Sequence, residues 1–230
     1  MPPGRVLILA AGRPCAMKTV AAMTKPRRRR FSMIRDFQMA DFLTLGNGFC
    51  GTGSMLATLK YVASGDLDFL RLAFGLLPIA LICDFLDGRV ARARAEVSML
   101  GQELDSLADL VSFGVAPAAL AFGLGMRGGW DAIALVYFVA CGISRLARYN
   151  ATAAQLAGEG GKVKYYEGTP IPTSLALVAL FGALAANGRI GAALPLGVVT
   201  LGPMELHPAV LLFVVSGSAM ISKTLRIPKP

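Results

Sequence analysis

Leu76-Leu77-Pro78-Ile79-Ala80-Leu81-Ile82-Cys83-Asp84-Phe85-Leu86-Asp87-Gly88-Arg89-Val90-Ala91-Arg92 is the stretch that sets the reading of the chain. Its first half continues an apolar run that starts near residue 69. About 20 such residues are enough to cross a bilayer as a helix. Its second half places two carboxylates, a glycine and two arginines directly after that run. Ionisable groups are costly at membrane depth, so carboxylates there mark function.

Five more apolar runs flank 69–91, at 42–63, 100–125, 130–150, 171–187 and 207–222. A backbone in lipid must satisfy its own hydrogen bonds, so each run is expected to be a helix. The stretch 190–202 is apolar but short and broken by Pro195, with Pro203 just beyond, and is expected to be interfacial or re-entrant. The chain has 230 residues, 55% of them hydrophobic, against roughly 45–50% in soluble domains. The expected fold class is therefore an all-α polytopic membrane protein with about six transmembrane helices.

Charge supports this layout. Six spans place both ends of the chain on one side, and that side receives 19 of the 23 Lys and Arg residues. The other side holds only Lys60, Arg71, Arg127 and Arg189. The positive-inside rule then puts both termini, and the acid-bearing turn after residue 87, in the cytoplasm, at the inner membrane if the source is bacterial. The net charge of +9 suits a lipid headgroup surface. Nucleic acid is not an expected partner, because no basic stripe with interleaved aromatics occurs.

Residues 1–32 read as a basic, disordered tail. Val6 to Ala11 is too short to span, and the cluster Lys25-Pro26-Arg27-Arg28-Arg29-Arg30 follows it, whereas a signal peptide has its charges first. Met33 opens a single transmembrane catalytic domain, 33–230. Cys15, Cys50, Cys83 and Cys141 form no CxxC pair and read as small hydrophobes, with neither a disulfide framework nor a zinc site.

A second acidic segment, Gly101-Gln102-Glu103-Leu104-Asp105-Ser106-Leu107-Ala108-Asp109, opens the third run. At about 100° per residue, Asp84, Asp87, Gly88, Ala91 and Arg92 share a helix face about 140° wide, and Gly101, Asp105 and Asp109 share one about 80° wide. Two neighbouring helices can point these faces at each other. Four unpaired carboxylates would repel one another strongly. One or two hard divalent cations, Mg²⁺ or Mn²⁺, resolve the repulsion. Gly88, Ala91 and Gly101 are small enough to admit a ligand or a helix backbone. A cation transporter would instead carry its acids near the bilayer midplane, in broken helices.

The spacing D-x2-D-G-x2-A-R-x8-G-x3-D-x3-D, from Asp84 to Asp109, resembles the signature of the CDP-alcohol phosphatidyltransferase family at every fixed position. The resemblance implies a six-helix membrane core with a two-metal site at the cytoplasmic boundary. It also implies transfer of a phosphatidyl group from CDP-diacylglycerol to an alcohol. Asp84, Asp87 and Asp105 would hold metal, and Asp109 would be both ligand and general base. Gly88, Ala91, Arg92 and Gly101 would line the CDP pocket, and the protein would form a homodimer.

Further segments are similar to the serine-accepting branch of that family. They are Ile34-Arg35-Asp36, Asn47 to Gly51, Asp109 to Pro117, Ser144 to Asn150 and Tyr165 to Pro172. L-Serine is the acceptor this implies. Glycerol 3-phosphate, inositol phosphate, choline or an ether-lipid CDP donor also fit the signature. A serine carboxylate needs a cationic partner, and Arg145 and Arg148 lie three apart at the cytoplasmic end of the fourth span. Arg148 is the first choice for its nearness to Asn150, with headgroup anchoring as the competing role. Lys164 is a candidate phosphate contact. Trp130 reads as an interfacial anchor. His207, beside Pro208 on the far side, is not expected to be catalytic, and Asp36, Asp41, Glu96 and Glu103 receive no role.

Overall fold

The computed structural model describes residues 39–94, 99–158, 165–222 and 226–228. The expectations for 1–32, Met33, Glu96 and Lys164 fall outside these residues. Each expected apolar run is helical. The helices are α1 (Met39–Ser64), α2 (Leu67–Arg94), α3 (Met99–Asp109), α4 (Ala116–Gly123), α5 (Gly129–Gly158), α6 (Ser174–Ala186) and α7 (Leu211–Ile221). Among the described residues, three segments, 67–90, 100–123 and 129–152, are long and apolar enough to cross a membrane, and 171–186 and 208–221 are shorter apolar helices.

α1 is apolar on the outside and polar on the inside. Thr44, Asn47, Gly51, Ser54 and Thr58 recur at spacings of three and four and are all buried, whereas Phe42, Phe49, Leu56 and Leu59 are exposed. Phe49 on α1, Val136 on α5 and Val215 on α7 are 73%, 69% and 66% exposed. Such a surface is a liability in water. In lipid it is the ordinary solvent contact, and small or polar residues between helices replace the hydrophobic effect as packing glue.

α1 and α2 form an antiparallel hairpin through Gly65 (φ 74°) and Asp66, whose Oδ1 accepts the Asp68 N–H at 2.9 Å. Pro78 lies inside α2, where its ring displaces one helical hydrogen bond. One turn earlier the Ser54 hydroxyl donates to the Ala73 carbonyl at 2.8 Å, tying the hairpin together.

The third expected run is helical throughout but not uniformly α. Between α3 and α4, Leu110–Val115 forms a π-helical turn. Ala116 N–H closes on the Val111 carbonyl, five residues back. Pro117 has no N–H to give the Phe113 carbonyl, and the Ser174 hydroxyl of α6 donates to that carbonyl at 2.6 Å. Single π turns inside helices concentrate at functional sites.

Gly51 of α1 sits directly against Ser112 in that turn. A Cβ at Gly51 would lie 2.7 Å from Ser112 Cα and collide with the hydroxyl. Gly51→Val is expected to destabilise the protein by about 1–3 kcal/mol through overpacking, and to lower activity by separating α1 from Asp109. Thermal unfolding in detergent, with turnover measured in parallel, checks this. Wild-type values in both would show that α1 does not need this close approach.

At the far end of the bundle, the apolar stretch 190–202 contains no α-helix. Gly191–Ala193 is one 3-10 turn, and β2 (Val199–Leu201) pairs antiparallel with β3 (Met204–Leu206). At the opposite end β1 (Tyr165–Glu167) pairs with β4 (Arg226–Pro228). The all-α expectation therefore holds for the spans, with two small hairpin-like ribbons outside them. The far ribbon is anchored by Asp131, which is fully buried: Oδ1 accepts the His207 backbone N–H at 2.8 Å, and Oδ2 meets His207 Nδ1 at 2.6 Å and the Gly128 N–H at 3.0 Å. Trp130 Nε1 donates to the Leu201 carbonyl at 3.1 Å. The core between α5, α6 and α7 is aromatic, with Phe213 stacked on Phe181 at 5.6 Å and edge-on to Phe138 at 5.2 Å.

Candidate active site

The acids meet at the end of the bundle opposite His207. Asp84 and Asp87 lie in the last turns of α2, and Asp105 and Asp109 lie in the second half of α3. Ligand oxygens of Asp84, Asp105 and Asp109 converge within 4.8 Å of one another. Asp105 Oδ1 is buried and accepts no hydrogen bond. A buried anionic oxygen without a donor is costly, and a hard divalent cation is the partner that three such carboxylates suit. These residues therefore fit a divalent metal.

Asp87 stands beside this trio without being one of its members. It is buried, and its Oδ2 accepts the Thr44 hydroxyl at 2.8 Å. Asp109 Oδ1 accepts Asn47 Nδ2 at 3.0 Å. The wall opposite α2 and α3 is thus α1, whose Thr44 and Asn47 lie one helical turn apart. Ser112 Oγ donates to the Asn47 carbonyl at 2.9 Å, binding α1 to the π turn just past Asp109.

Thr44, Asn47 and Ser112 were not among the residues expected to build the site. The signal that reveals Thr44 and Asn47 is the stripe of small and polar residues at positions 44, 47, 51, 54 and 58 in an otherwise apolar span.

Gly88 follows Asp87 on α2, and Gly101 lies in the first turn of α3, one turn before Asp105. Ala91 and Arg92 lie on the helical backbone near the end of α2. Arg145 and Arg148 are both half-buried on α5. Arg148 Nη1 donates to the Ile221 carbonyl at 3.4 Å, at the end of α7. This contact serves helix anchoring and does not by itself point Arg148 at the carboxylates. Between α3 and α5, Asn150 bonds Ser106 at 3.1 Å and reaches Glu103 at 3.4 Å.

Fold and site together define a polytopic membrane protein with an acidic centre built where its second and third apolar runs meet. The CDP-alcohol phosphatidyltransferase family matches residues 37–217, and the chain belongs to that family. It is 47% identical over 203 residues to the CDP-diacylglycerol–serine O-phosphatidyltransferase of Saccharomyces cerevisiae, covering 87% of this chain and 74% of the yeast protein. It is 38% identical over 130 residues to the protein of the same name from Methanocaldococcus jannaschii, covering 56% of this chain and 60% of that protein. It is 33% identical over 152 residues to the archaetidylserine synthase of Methanothermobacter thermautotrophicus, covering 65% and 62%.

Proposed function

We propose that the protein transfers the phosphatidyl group of CDP-diacylglycerol to L-serine, giving phosphatidylserine and CMP. The observation that carries the reading is the convergence of Asp84, Asp105 and Asp109 in a chain of this family. The names of its relatives support serine as the acceptor.

Asp84, Asp105 and Asp109, with Asp87 beside them, would hold one or two Mg²⁺ or Mn²⁺ ions. Bound there, the metal supplies charge neutralisation for the donor pyrophosphate and the departing phosphate. Asp109 takes the proton of the serine hydroxyl. The serine oxygen forms a bond to the lipid-bearing phosphorus as the bond from that phosphorus to the CMP oxygen breaks, and CMP leaves with the electron pair. Gly88, Ala91, Arg92 and Gly101 line the nucleotide pocket. Arg145 and Arg148, with Lys164, are the cationic groups for the serine carboxylate and the donor phosphates. In a six-span layout with the positive side in the cytoplasm, this centre and both ends of the chain would face the cytoplasm, the acyl chains would lie in the bilayer, and a second copy would be the partner.

Purified protein with Mn²⁺ and CDP-diacylglycerol should release CMP with serine at a rate about 100-fold or more above glycerol 3-phosphate, inositol phosphate or choline. Sites built to pair a polar group reject substrates lacking it by at least that much. CMP release with another alcohol but not with serine would overturn the acceptor. A CDP-activated ether lipid that outpaced CDP-diacylglycerol would overturn the donor.

A further inference from the structure

We propose that Asn47 is a positioning residue for Asp109: its side-chain amide holds that carboxylate in its working orientation without cancelling its charge. The proposal rests on the reading of Asp109 as metal ligand and proton acceptor. Asn47 belongs to α1, which carries none of the signature acids, and is fully buried. Its Nδ2 lies 3.0 Å from Asp109 Oδ1 across 62 positions of sequence.

The clamp is fixed at both ends. The Asn47 backbone carbonyl accepts the Ser112 hydroxyl at 2.9 Å, so backbone and side chain of one residue grip the same segment three residues apart. Gly51 allows this approach, because a Cβ there would strike Ser112. Asn47 itself is fully buried between the two segments.

The chemistry of the residue suits the task. A lysine or arginine at this place would also hold Asp109, but its charge would compete with a bound cation. An amide N–H is a neutral donor. It occupies one carboxylate oxygen and leaves the negative charge for the centre shared with Asp84 and Asp105.

The other end of the amide supports the same conclusion. Asn47 Oδ1 is buried and has no hydrogen-bond partner, an arrangement that costs stability. A residue present only for packing would avoid that cost by being apolar. What the cost maintains is the N–H aimed at Asp109.

Two variants test this. Asn47→Ala removes the amide, and Asn47→Leu removes it while keeping the branched outline of the side chain, so that a second variant is at hand if the cavity is not tolerated. Mn²⁺ affinity, read by electron paramagnetic resonance titration, should fall about 10-fold or more in both, the usual effect of losing a partner that orients a ligand. The infrared carboxylate band isolated by subtracting the Asp109→Asn spectrum from wild type should move in both. A merely structural role would lower the unfolding midpoint and leave affinity and band unchanged, and that result overturns the proposal. If wild-type protein binds no Mn²⁺ saturably, or Asp109→Asn changes neither affinity nor turnover, the reading of the site itself fails and takes the proposal with it.

Discussion

Asp109→Asn is expected to lower turnover about 10²–10⁴-fold, the range for removing a positioned general base. The substitution is nearly isosteric, and the new amide oxygen can still accept the bond that Asn47 Nδ2 now makes to Asp109 at 3.0 Å. The fold and the α1–α3 contact should therefore survive, while the carboxylate proposed as general base is gone. Initial rates of CMP release under saturating substrates measure the loss, and the unfolding midpoint verifies that the protein remains folded. Near-wild-type turnover in a folded variant would show that Asp109 is not the base.

Removing metal should be as severe. With EDTA, CMP release is expected to fall to background and to return on adding Mn²⁺ or Mg²⁺. The reason lies in the geometry: three carboxylate oxygens within 4.8 Å repel one another unless a cation sits among them. Metal that binds the folded state alone also stabilises it, by about 2.7 kcal/mol at 100 times its dissociation constant. Mn²⁺ should therefore raise the unfolding midpoint of wild type and leave that of the Asp84→Asn, Asp105→Asn double variant unmoved. Full activity in EDTA, or equal stabilisation of the double variant, would contradict the assignment.

The helices were legible because lipid leaves a long apolar run no choice but helix. α5 nevertheless continues eight residues past the expected end at 150, to Gly158, since helix propagation does not stop where hydropathy falls. The π turn at Leu110–Val115 was not expected: apolarity is the same for α and π winding, and only Pro117 hints at the change. The stretch 190–202, expected to be interfacial or re-entrant, sets its apolar residues among turn formers. Gly191, Gly197 and Gly202 all have positive φ, and Leu196 joins them at 71°, so the chain folds back as a ribbon.

At the site, the convergence of Asp84, Asp105 and Asp109 was readable from helical spacing, because they belong to two consecutive helices, whereas Asp87, expected to converge with them, stands beside the trio. Thr44 and Asn47 were not readable, because their targets lie 43 and 62 residues away. The Asp131–His207 pair spans 76 positions and was invisible for the same reason. Arg148 was singled out for its nearness to Asn150, and its contact with the Ile221 carbonyl, 73 residues away, was not visible in the sequence.

The most direct measurement is anomalous diffraction from crystals grown with Mn²⁺. A peak should appear among the carboxylates of Asp84, Asp105 and Asp109, at about 2.0–2.2 Å from their oxygens as for a small hard cation. Saturating Mn²⁺ with no peak between those side chains, or with the peak elsewhere, would contradict the account.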